Sequence, residues 1–495
     1  MQNLLSILTF TPLLAALILA IFLRGNDEAA RQNAKWLALT ASGATFFVAV
    51  ALFLGFDGAN RGFQFEESRV ILGLTYRMGV DGVSLPFVLL ITALTPIAVA
   101  MSWALSERVK HYVIWLLTFE TALLGAVLSL DLVFFVAFFE LAILPALLLA
   151  GMWGRMACGV SALKAWLYTL PGTVLLIVAA AGLAGEAQTT DISQLLLHNF
   201  SAAAGALPGG GQSVLWLLAA VSVAVKAALW PFHTWLPGLG FRAPLQVGMI
   251  LGVLVTSLGL YGLLRIHVGM LPVATDAFAP LLMALAGAGL VLGVLSALVA
   301  EDFGRLLSYV AVAQTGAFVL LIAGGTVQSF DAIVMALLAH GLTLAALFAL
   351  AVMLEARGNA REMAAFGALK TRLPVLSAFF LFFALALLGA PGTAGFVALL
   401  LALFGLLPVS LTAALLTALG ALLFGGLALA LYRQLMLGPR VKEHFKLVAD
   451  LDGRERLTLS LLLVALVLLG LWPGIVLDRT APAFAEIAAQ FAALR

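Results

Sequence analysis

Four titratable side chains stand inside long apolar segments of this 495-residue chain: Glu120, Glu140, Lys226 and His340. A lysine at bilayer depth costs roughly 2.5–3.5 kcal/mol on insertion scales, so it is kept only where it faces protein or water. A carboxylate beside a lysine favours the charged pair, and separating the two lets the lysine release its proton. Two acids, a lysine and a histidine on different segments therefore predict a proton pathway.

Each of these residues also has a structural interpretation. Lys226 is compatible with a fixed ion pair inside a helical bundle, and Glu120 and Glu140 with pairing to arginines of the connections. His340 is compatible with a hydrogen-bonded packing histidine. His233 follows Lys226 at a break in the apolar pattern and is a candidate polar relay.

No other chemistry is indicated by the sequence. The remaining histidines lie at segment ends or in connections, and no role is predicted for them: His111, His198, His267 and His444. No glycine-rich phosphate loop follows a strand, no histidine pair has metal-ligand spacing, and Pro208–Gly211 is interpreted as a flexible loop. Any reaction that drives transport is therefore expected in partner subunits.

Composition places the chain in a membrane. It is 63% hydrophobic and 10% charged, with a mean hydropathy of +1.14, whereas a soluble domain needs about a quarter charged residues. The net charge of +2 indicates no nucleic-acid partner, and the single cysteine, Cys158, excludes a disulfide within the chain. The first apolar run, Leu4–Leu23, has no basic residue before it and is interpreted as a transmembrane helix.

The apolar pattern predicts an all-α polytopic protein with fourteen transmembrane spans and no soluble domain between them. The chain is interpreted as a single membrane domain, 1–495, with an antiporter-like core at about 110–432 and flanking helices in 1–109 and 433–495. The predicted spans are 2–23, 35–54, 84–105, 110–129, 131–152, 160–184, 213–231, 244–268, 276–299, 305–324, 330–354, 373–405, 408–432 and 457–475.

The distribution of lysine and arginine predicts the orientation. With fourteen spans, 19 of these residues fall on one side, 6 on the other, and Lys226 remains within the membrane. The positive-inside rule then puts both termini outside and the long basic connection Arg433–Arg456 in the cytoplasm. The expected location is the bacterial inner membrane, as a multi-pass protein.

Two spans are interrupted by proline, which removes a backbone donor. The seventh breaks at Trp230–Pro237 and the twelfth at Leu388–Gly395. Because the two spans are five apart, an odd number, they run in opposite directions. This spacing predicts an inverted repeat of helices 4–8 and 9–13 with an ion path at the membrane midplane; two unrelated proline kinks are the alternative.

Several segments of the chain form a recognisable set, and Trp230–Pro237 is the most specific of them. The others are Phe22–Ala30, Tyr76–Gly82, Phe138–Glu140 with Leu144–Pro145, Gly151–Gly154 and Pro391–Phe396. With these segments the chain resembles, over nearly its whole length, the antiporter-like subunit M (complex I chain 4) family of NADH:quinone oxidoreductase.

The resemblance implies a membrane subunit of a proton-translocating NADH:quinone oxidoreductase. It implies that Glu140 of helix 5 and Lys226 of helix 7 form a coupled pair, and that Glu120 of helix 4 and His340 of helix 11 belong to the pathway. It further implies other membrane subunits of a complex I-like assembly and the lipid bilayer as partners. No cofactor is expected in this chain; flavin and iron–sulfur clusters are expected in partner subunits.

Several positions depart from the family pattern. Ser257 replaces the helix 8 lysine, Gln314 the helix 10 histidine and Leu399 the helix 12 glutamate, while Gly238 and Gly240 replace an aspartate and a histidine. Two hypotheses follow. In one, water and weak polar groups keep the proton route open; these groups are His233, Thr256, Ser257, Gln314 and Thr315. In the other, the chain is a divergent paralogue that no longer conducts protons.

Two further function classes stay open at this stage. The first is a subunit of a cation/proton antiporter or of an inorganic-carbon uptake assembly, which are built on related folds. The second is a structural spacer without a transport role. The ion carried, proton or sodium, is also left open by the sequence.

Overall fold

The computed structural model describes residues 3–25, 27–71, 74–155, 157–200, 211–438 and 448–495. Most of the loop Pro208–Gly211 lies outside the described residues, as do His444 and three basic residues of the connection predicted to be cytoplasmic, Arg440, Lys442 and Lys446.

The described chain is almost entirely helical. Its helices are α1 (Leu4–Phe22), α2 (Glu28–Gly55), α3 (Leu85–Met101), α4 (Val109–Leu128), α5 (Leu132–Leu141), α6 (Ile143–Trp153), α7 (Cys158–Ala187), α8 (Ile192–Leu195), α9 (Gln212–Lys226), α10 (Trp235–Gly240), α11 (Leu245–Met249), α12 (Thr256–Gly262), α13 (Pro272–Ala277), α14 (Ala279–Leu298), α15 (Phe303–Gly324), α16 (Val327–Gly358), α17 (Pro374–Leu388), α18 (Ala394–Leu406), α19 (Leu411–Met436), α20 (Gly453–Leu471) and α21 (Gly474–Leu494). Turns of π-helix span Ile250–Val255 and Leu263–Met270, and 3₁₀ turns span Met363–Ala365 and Leu369–Thr371.

The all-α membrane class predicted from composition is confirmed. Among the described residues, ten helices are long and apolar enough to cross a bilayer on their own. The four other predicted spans coincide with short or bent helices: α3, α9, the pair α17 and α18, and α20. The count of fourteen crossings stays a prediction.

Matched contacts relate the two halves of the core. The backbones of Asp131 and Asp191 form an isolated antiparallel β-bridge, and those of Asp302 and Glu362 form another. Each residue of the second bridge lies 171 positions after the equivalent residue of the first. Asp131 and Asp302 both cap the helix that follows by accepting two backbone N–H bonds. A side chain at the N-cap satisfies donors that the helix leaves free. The same bridge and the same helix cap therefore occur in both halves, as expected for a structural repeat.

The two halves are inverted. Asp191 forms an ion pair with Arg77, which lies on the side predicted to carry few basic residues. The counterpart contact lies beside Arg361, which pairs with Glu355 at 2.6 Å, and Glu355 also pairs with Arg155 at 3.3 Å. These arginines belong to the side predicted to be rich in basic residues, so equivalent contacts lie at opposite ends of the bundle.

Both predicted helix breaks are present. The chain turns at Ala228, with φ +52°, and at Gly389, with φ +80°. At both places the next residue donates its N–H to a carbonyl five positions earlier, at 2.9 and 3.0 Å. These bonds satisfy carbonyls that a helix end leaves free. Helical structure resumes at Trp235 and at Ala394.

Two elements were not predicted from the sequence. An antiparallel hairpin is formed by β1 (Gln64–Ile71) and β2 (Leu74–Val80). The terminal helix α21 is bent by 63° from α20 and packs closely against Gly58 and Gly82 next to the hairpin. The residue after this helix, Arg495, pairs with Asp276 at 2.8 Å. Polar strand residues and a helix with few long apolar runs carry no transmembrane signal, which explains why they were missed.

Candidate functional site: a buried lysine–glutamate pair and two adjoining cavities

The structure brings Lys226 and Glu140 together. The Lys226 Nζ lies 2.7 Å from Glu140 Oε1, and the lysine side chain is 1% exposed. Glu140 also accepts hydrogen bonds from the hydroxyls of Thr173 at 2.6 Å and Ser222 at 3.2 Å. A buried ion pair needs such extra hydrogen bonds, because desolvation otherwise exceeds the Coulomb attraction. Glu140 thus pairs with the buried lysine and with no arginine of the described connections.

Lys226 occupies the end of a helix, inside the broken seventh span. Helix α9 ends at Lys226, well before the proline at which the sequence predicted the break. Side chains of other helices donate hydrogen bonds to the carbonyls at this helix end. Val225 O accepts from the Trp235 indole and Ala227 O from the Thr315 hydroxyl, both at 2.8 Å. The partial negative charge of a helix C-terminus favours a cation there.

Glycines allow the neighbouring helices to approach this helix end. A Cβ on Gly259 would lie 2.2 Å from Ala227 N, and a Cβ on Gly172 would lie 2.8 Å from the Cα of Ser222. Contacts this close are possible only without a side chain, because the obstructing atoms belong to backbone. Gly259 lies between the two π-helical turns of its span, and such turns are frequent at functional sites.

An aromatic ring closes the other side of the lysine. The Lys226 ammonium lies 4.5 Å from the ring centre of Phe139, the neighbour of Glu140. An ammonium at this distance from an aromatic face is attracted electrostatically. Helix α5 ends one residue after Glu140, close to Pro145, whose missing N–H leaves a carbonyl unbonded. The break therefore sets the position of the Phe139 and Glu140 side chains.

Glu120 is buried away from this pair. Its residue is 0% exposed, and neither carboxyl oxygen has a hydrogen-bond partner of ordinary geometry among the described residues. Thr95 is its neighbour, but the Thr95 hydroxyl donates to Ile91 O at 2.9 Å. Because neither oxygen has a partner, the alternative that Glu120 pairs with an arginine of a connection is wrong. An unpaired buried carboxyl costs free energy.

A small cavity adjoins the helix break. It has a volume of about 20 Å³ and is lined by Thr256, Ser257, Gln314, Thr315 and His340 among others. The threonine and serine of α12 donate to carbonyls of their own helix at 2.9 and 2.6 Å, which leaves their oxygen lone pairs facing other groups. The Gln314 side-chain nitrogen has no partner within the described part of the chain. The predicted polar relay residues of α12 and α15 therefore share one space.

A second cavity lies on the other side of His340. Its volume is about 60 Å³, and its lining includes His340, Leu399, Thr417 and Gly389 of the second helix break. A water molecule needs roughly 10–15 Å³ of such volume, so the first cavity has room for about one water and the second for several. His340 lines both cavities, and its Nδ1 has no partner among the described residues.

His233 is not brought into this group. It lies in the irregular segment between α9 and α10, and it lines neither of the two cavities. Its Nδ1 has no partner in the described ranges. The sequence suggested a relay here because His233 lies only seven positions after Lys226 at the same break.

The sequence analysis missed a second buried ion pair. Arg265 donates two hydrogen bonds to the carboxylate of Asp81, at 2.7 and 2.8 Å, and a third to the Tyr261 hydroxyl at 3.1 Å. Tyr261 in turn donates to Val127 O at 2.7 Å. Both charged residues are at least 94% buried. A signal was present, since Arg265 stands inside the predicted eighth span, but it was counted with the connections.

Comparison with known proteins agrees with this architecture. Residues 129–425 match the family described as NADH:quinone oxidoreductase/Mrp antiporter, TM. The NADH-quinone oxidoreductase subunit M of Rhodobacter capsulatus is 39% identical, over 99% of this chain and 97% of the relative. The NADH-ubiquinone oxidoreductase chain 4 of Arabidopsis thaliana is 31% identical over 96% of this chain and 94% of its own length.

Solved structures have the same fold. A chain of respiratory complex I from Thermus thermophilus superposes with a TM-score of 0.88 at 26% identity, covering 98% of this chain and 99% of that one. A chain of the Mrp complex from Dietzia has a TM-score of 0.84, covering 100% of this chain and 98% of that one, but only 20% identity, so this likeness concerns the fold alone. On sequence, domain and fold together, the chain belongs to the NADH:quinone oxidoreductase/Mrp antiporter family of membrane subunits.

Proposed function

We propose that this chain is a proton-translocating membrane subunit of an NADH:quinone oxidoreductase. The observation that carries the proposal is the 2.7 Å pair of the buried Lys226 with Glu140. The pair lies at a helix break where Thr315 donates to Ala227 O, and Thr315 also lines the first of two cavities that share His340. Relatives that match almost the full length are subunit M and chain 4 of that enzyme. Assemblies among the structural neighbours contain many membrane subunits, and the chain acts as one of them.

The proposed mechanism begins with the ion pair. While Glu140 contacts Lys226, the attraction holds the proton on the amine. Separation of the two leaves a buried cation without a partner, which is unfavourable, so the amine gives its proton to water or to a neighbouring polar group. The cavity lined by Ser257 and Gln314 leads to His340, an imidazole that can accept a proton on one nitrogen and release it from the other.

Glu120 is proposed as the proton-binding group of helix 4, because its carboxyl has no fixed partner among the described residues. We place the flavin and the iron–sulfur clusters in partner subunits, so that this chain carries no redox chemistry itself. The 19-to-6 distribution of basic residues supports the bacterial inner membrane with both termini outside. The hairpin, the first helix and Arg495 all lie at the end of the bundle that has few basic residues.

Replacing His340 by phenylalanine is expected to lower proton translocation by roughly 100-fold, the lower end of the contribution of a positioned proton-transfer group. Phenylalanine fills similar space between the two cavities but cannot bind a proton. The measurement is proton uptake into proteoliposomes that contain the whole complex, followed with a pH-sensitive dye during NADH oxidation.

The matched control is His111→Phe, since His111 is an exposed histidine outside both cavities. This variant should pump at the rate of the unaltered complex. Equal pumping by the His340→Phe and unaltered complexes would remove His340 from the pathway.

One observation favours a second candidate, a divergent paralogue that keeps the fold and does not conduct. The cavity beyond His340 is lined by Leu399, Ala398 and Ala402, and Thr417 is its only other polar side chain. A leucine cannot hold a proton, so the route has no titratable group at this end. The fold shared with the Mrp complex leaves an antiporter assembly as a further alternative, without an observation that favours it.

Leu399→Glu distinguishes conduction from its loss. If water already carries protons past Leu399, an added carboxyl should change pumping less than twofold. If the chain is a non-conducting paralogue, the carboxyl supplies the missing site, and pumping per NADH should rise. The measurement is the ratio of protons moved to NADH oxidised, with Leu399→Gln as the control of similar size that does not titrate.

A further inference from the structure

A pocket of about 380 Å³ opens between α7, α10 and the start of α15. Three cationic residues line it: Lys164, Arg242 and Arg305. The aromatic side chains of Tyr168 and Trp235 form part of its wall. The mechanism proposed above uses none of the three cations.

Among the described residues, no aspartate or glutamate lines this pocket. Arg242 donates to the Ser161 hydroxyl at 2.7 Å, and the Arg305 guanidinium lies 4.6 Å from the ring centre of Phe241. None of the three cations has an ion pair among the described residues, and the nearby Glu355 is already paired with two other arginines. The positive charges of these three side chains are therefore not balanced by ion pairs, and they would attract an anion into the pocket.

The pocket opens onto the most exposed long helix of the protein. Only 28% of the most apolar stretch of α7 is buried inside the protein, the lowest value among the ten long apolar helices of the described chain. Its exposed side chains close to the pocket are apolar: Val160, Leu163 and Leu167 are 54%, 53% and 51% exposed. Cations at one end of an apolar membrane surface match the two parts of a phospholipid, a phosphate and its acyl chains.

We propose that this pocket binds the phosphate of an anionic phospholipid, whose acyl chains lie along α7. Basic pockets between transmembrane helices on the cytoplasmic side bind anionic headgroups, and the three cations belong to the side predicted to be cytoplasmic. A free phosphate would use the cations but would leave the apolar side chains of α7 uncovered. The lipid satisfies both parts of the surface.

The pocket also contacts the segment that holds the ion pair. Trp235 lines the pocket and donates its indole N–H to Val225 O, the residue before Lys226. A lipid in the pocket would therefore contact Trp235, the residue that bonds to the end of α9. The binding site itself does not depend on the proposed proton transport, and its test uses lipid binding alone.

The test uses the whole complex in nanodiscs that contain a photoreactive phosphatidylglycerol, with the labelled peptides identified by mass spectrometry. Label is expected on the part of α7 around Lys164. Each basic residue near a membrane surface contributes about fivefold to anionic lipid binding, so Lys164→Gln with Arg305→Gln should lower the label about thirtyfold. Arg372→Gln, an exposed residue of the same predicted side, should leave it unchanged.

Any of several results would overturn the proposal. The label could be absent from α7 or unchanged in the double variant. A photoreactive phosphatidylcholine could label equally, or inorganic phosphate could displace the lipid completely, which would identify a free-phosphate site. A carbodiimide cross-link from Lys164 to a carboxylate of a neighbouring subunit would likewise show that protein is the partner. If the double variant does not assemble, Lys164→Gln alone should still lower the label about fivefold.

Discussion

Lys226→Ala is expected to abolish most proton translocation by this chain, a fall of roughly 100-fold. The change removes the amine that contacts Glu140, and of the partners in the described residues the carboxylate then keeps the hydroxyls of Thr173 and Ser222. NADH oxidation coupled to proton uptake in proteoliposomes of the whole complex measures the effect. Pumping at the normal rate would contradict the proposed role of the pair.

Lys226→Arg is the matched control for charge. Arginine keeps the attraction to Glu140 but does not release its proton in proteins, so this variant should assemble normally and still fail to pump. A structural pair would give the opposite pattern, with the arginine variant active. Replacing Glu140 and Lys226 together by Gln and Met tests stability, because removing a buried pair as a unit is tolerated better than removing one member.

Arg265→Ala is expected to have the largest effect on stability. The carboxylate of Asp81 would lose two hydrogen bonds of 2.7 and 2.8 Å and stay buried without a cation. Loss of one partner of a buried ion pair costs about 3–5 kcal/mol, which is a large part of the stability of most domains. Thermal unfolding in detergent and the yield of assembled complex measure the loss.

Asp81→Leu with Arg265→Met serves as the control for this prediction. Two apolar side chains of similar size leave no unpaired charge, so the double variant should recover most of the lost stability. If the double variant is no more stable than Arg265→Ala, the pair does more than balance charge. Equal stability of Arg265→Ala and the unaltered protein would show that water reaches Asp81.

The sequence by itself determined the class, predicted the repeat and singled out Lys226, while its pairing with Glu140 was implied by the family resemblance. High hydropathy with few charges admits only helices that satisfy their own backbone in lipid. The prolines at 231 and 391 identified both broken spans, and the odd separation of those spans indicated the inversion. Lys226 was a candidate because a charged side chain in an apolar segment is not solvated by lipid, so it must face a polar protein group or water.

Only the tertiary structure decided which groups meet. The end of α9 at Lys226 depends on bonds from Trp235 and Thr315, which come from other helices. Asp81 and Arg265 are 184 positions apart, and no local pattern joins them. The space shared by Ser257, Gln314 and His340 exists because three helices leave a gap there. Hydropathy is a property of single segments, whereas partners and cavities arise from how segments pack, and only the folded chain contains that information.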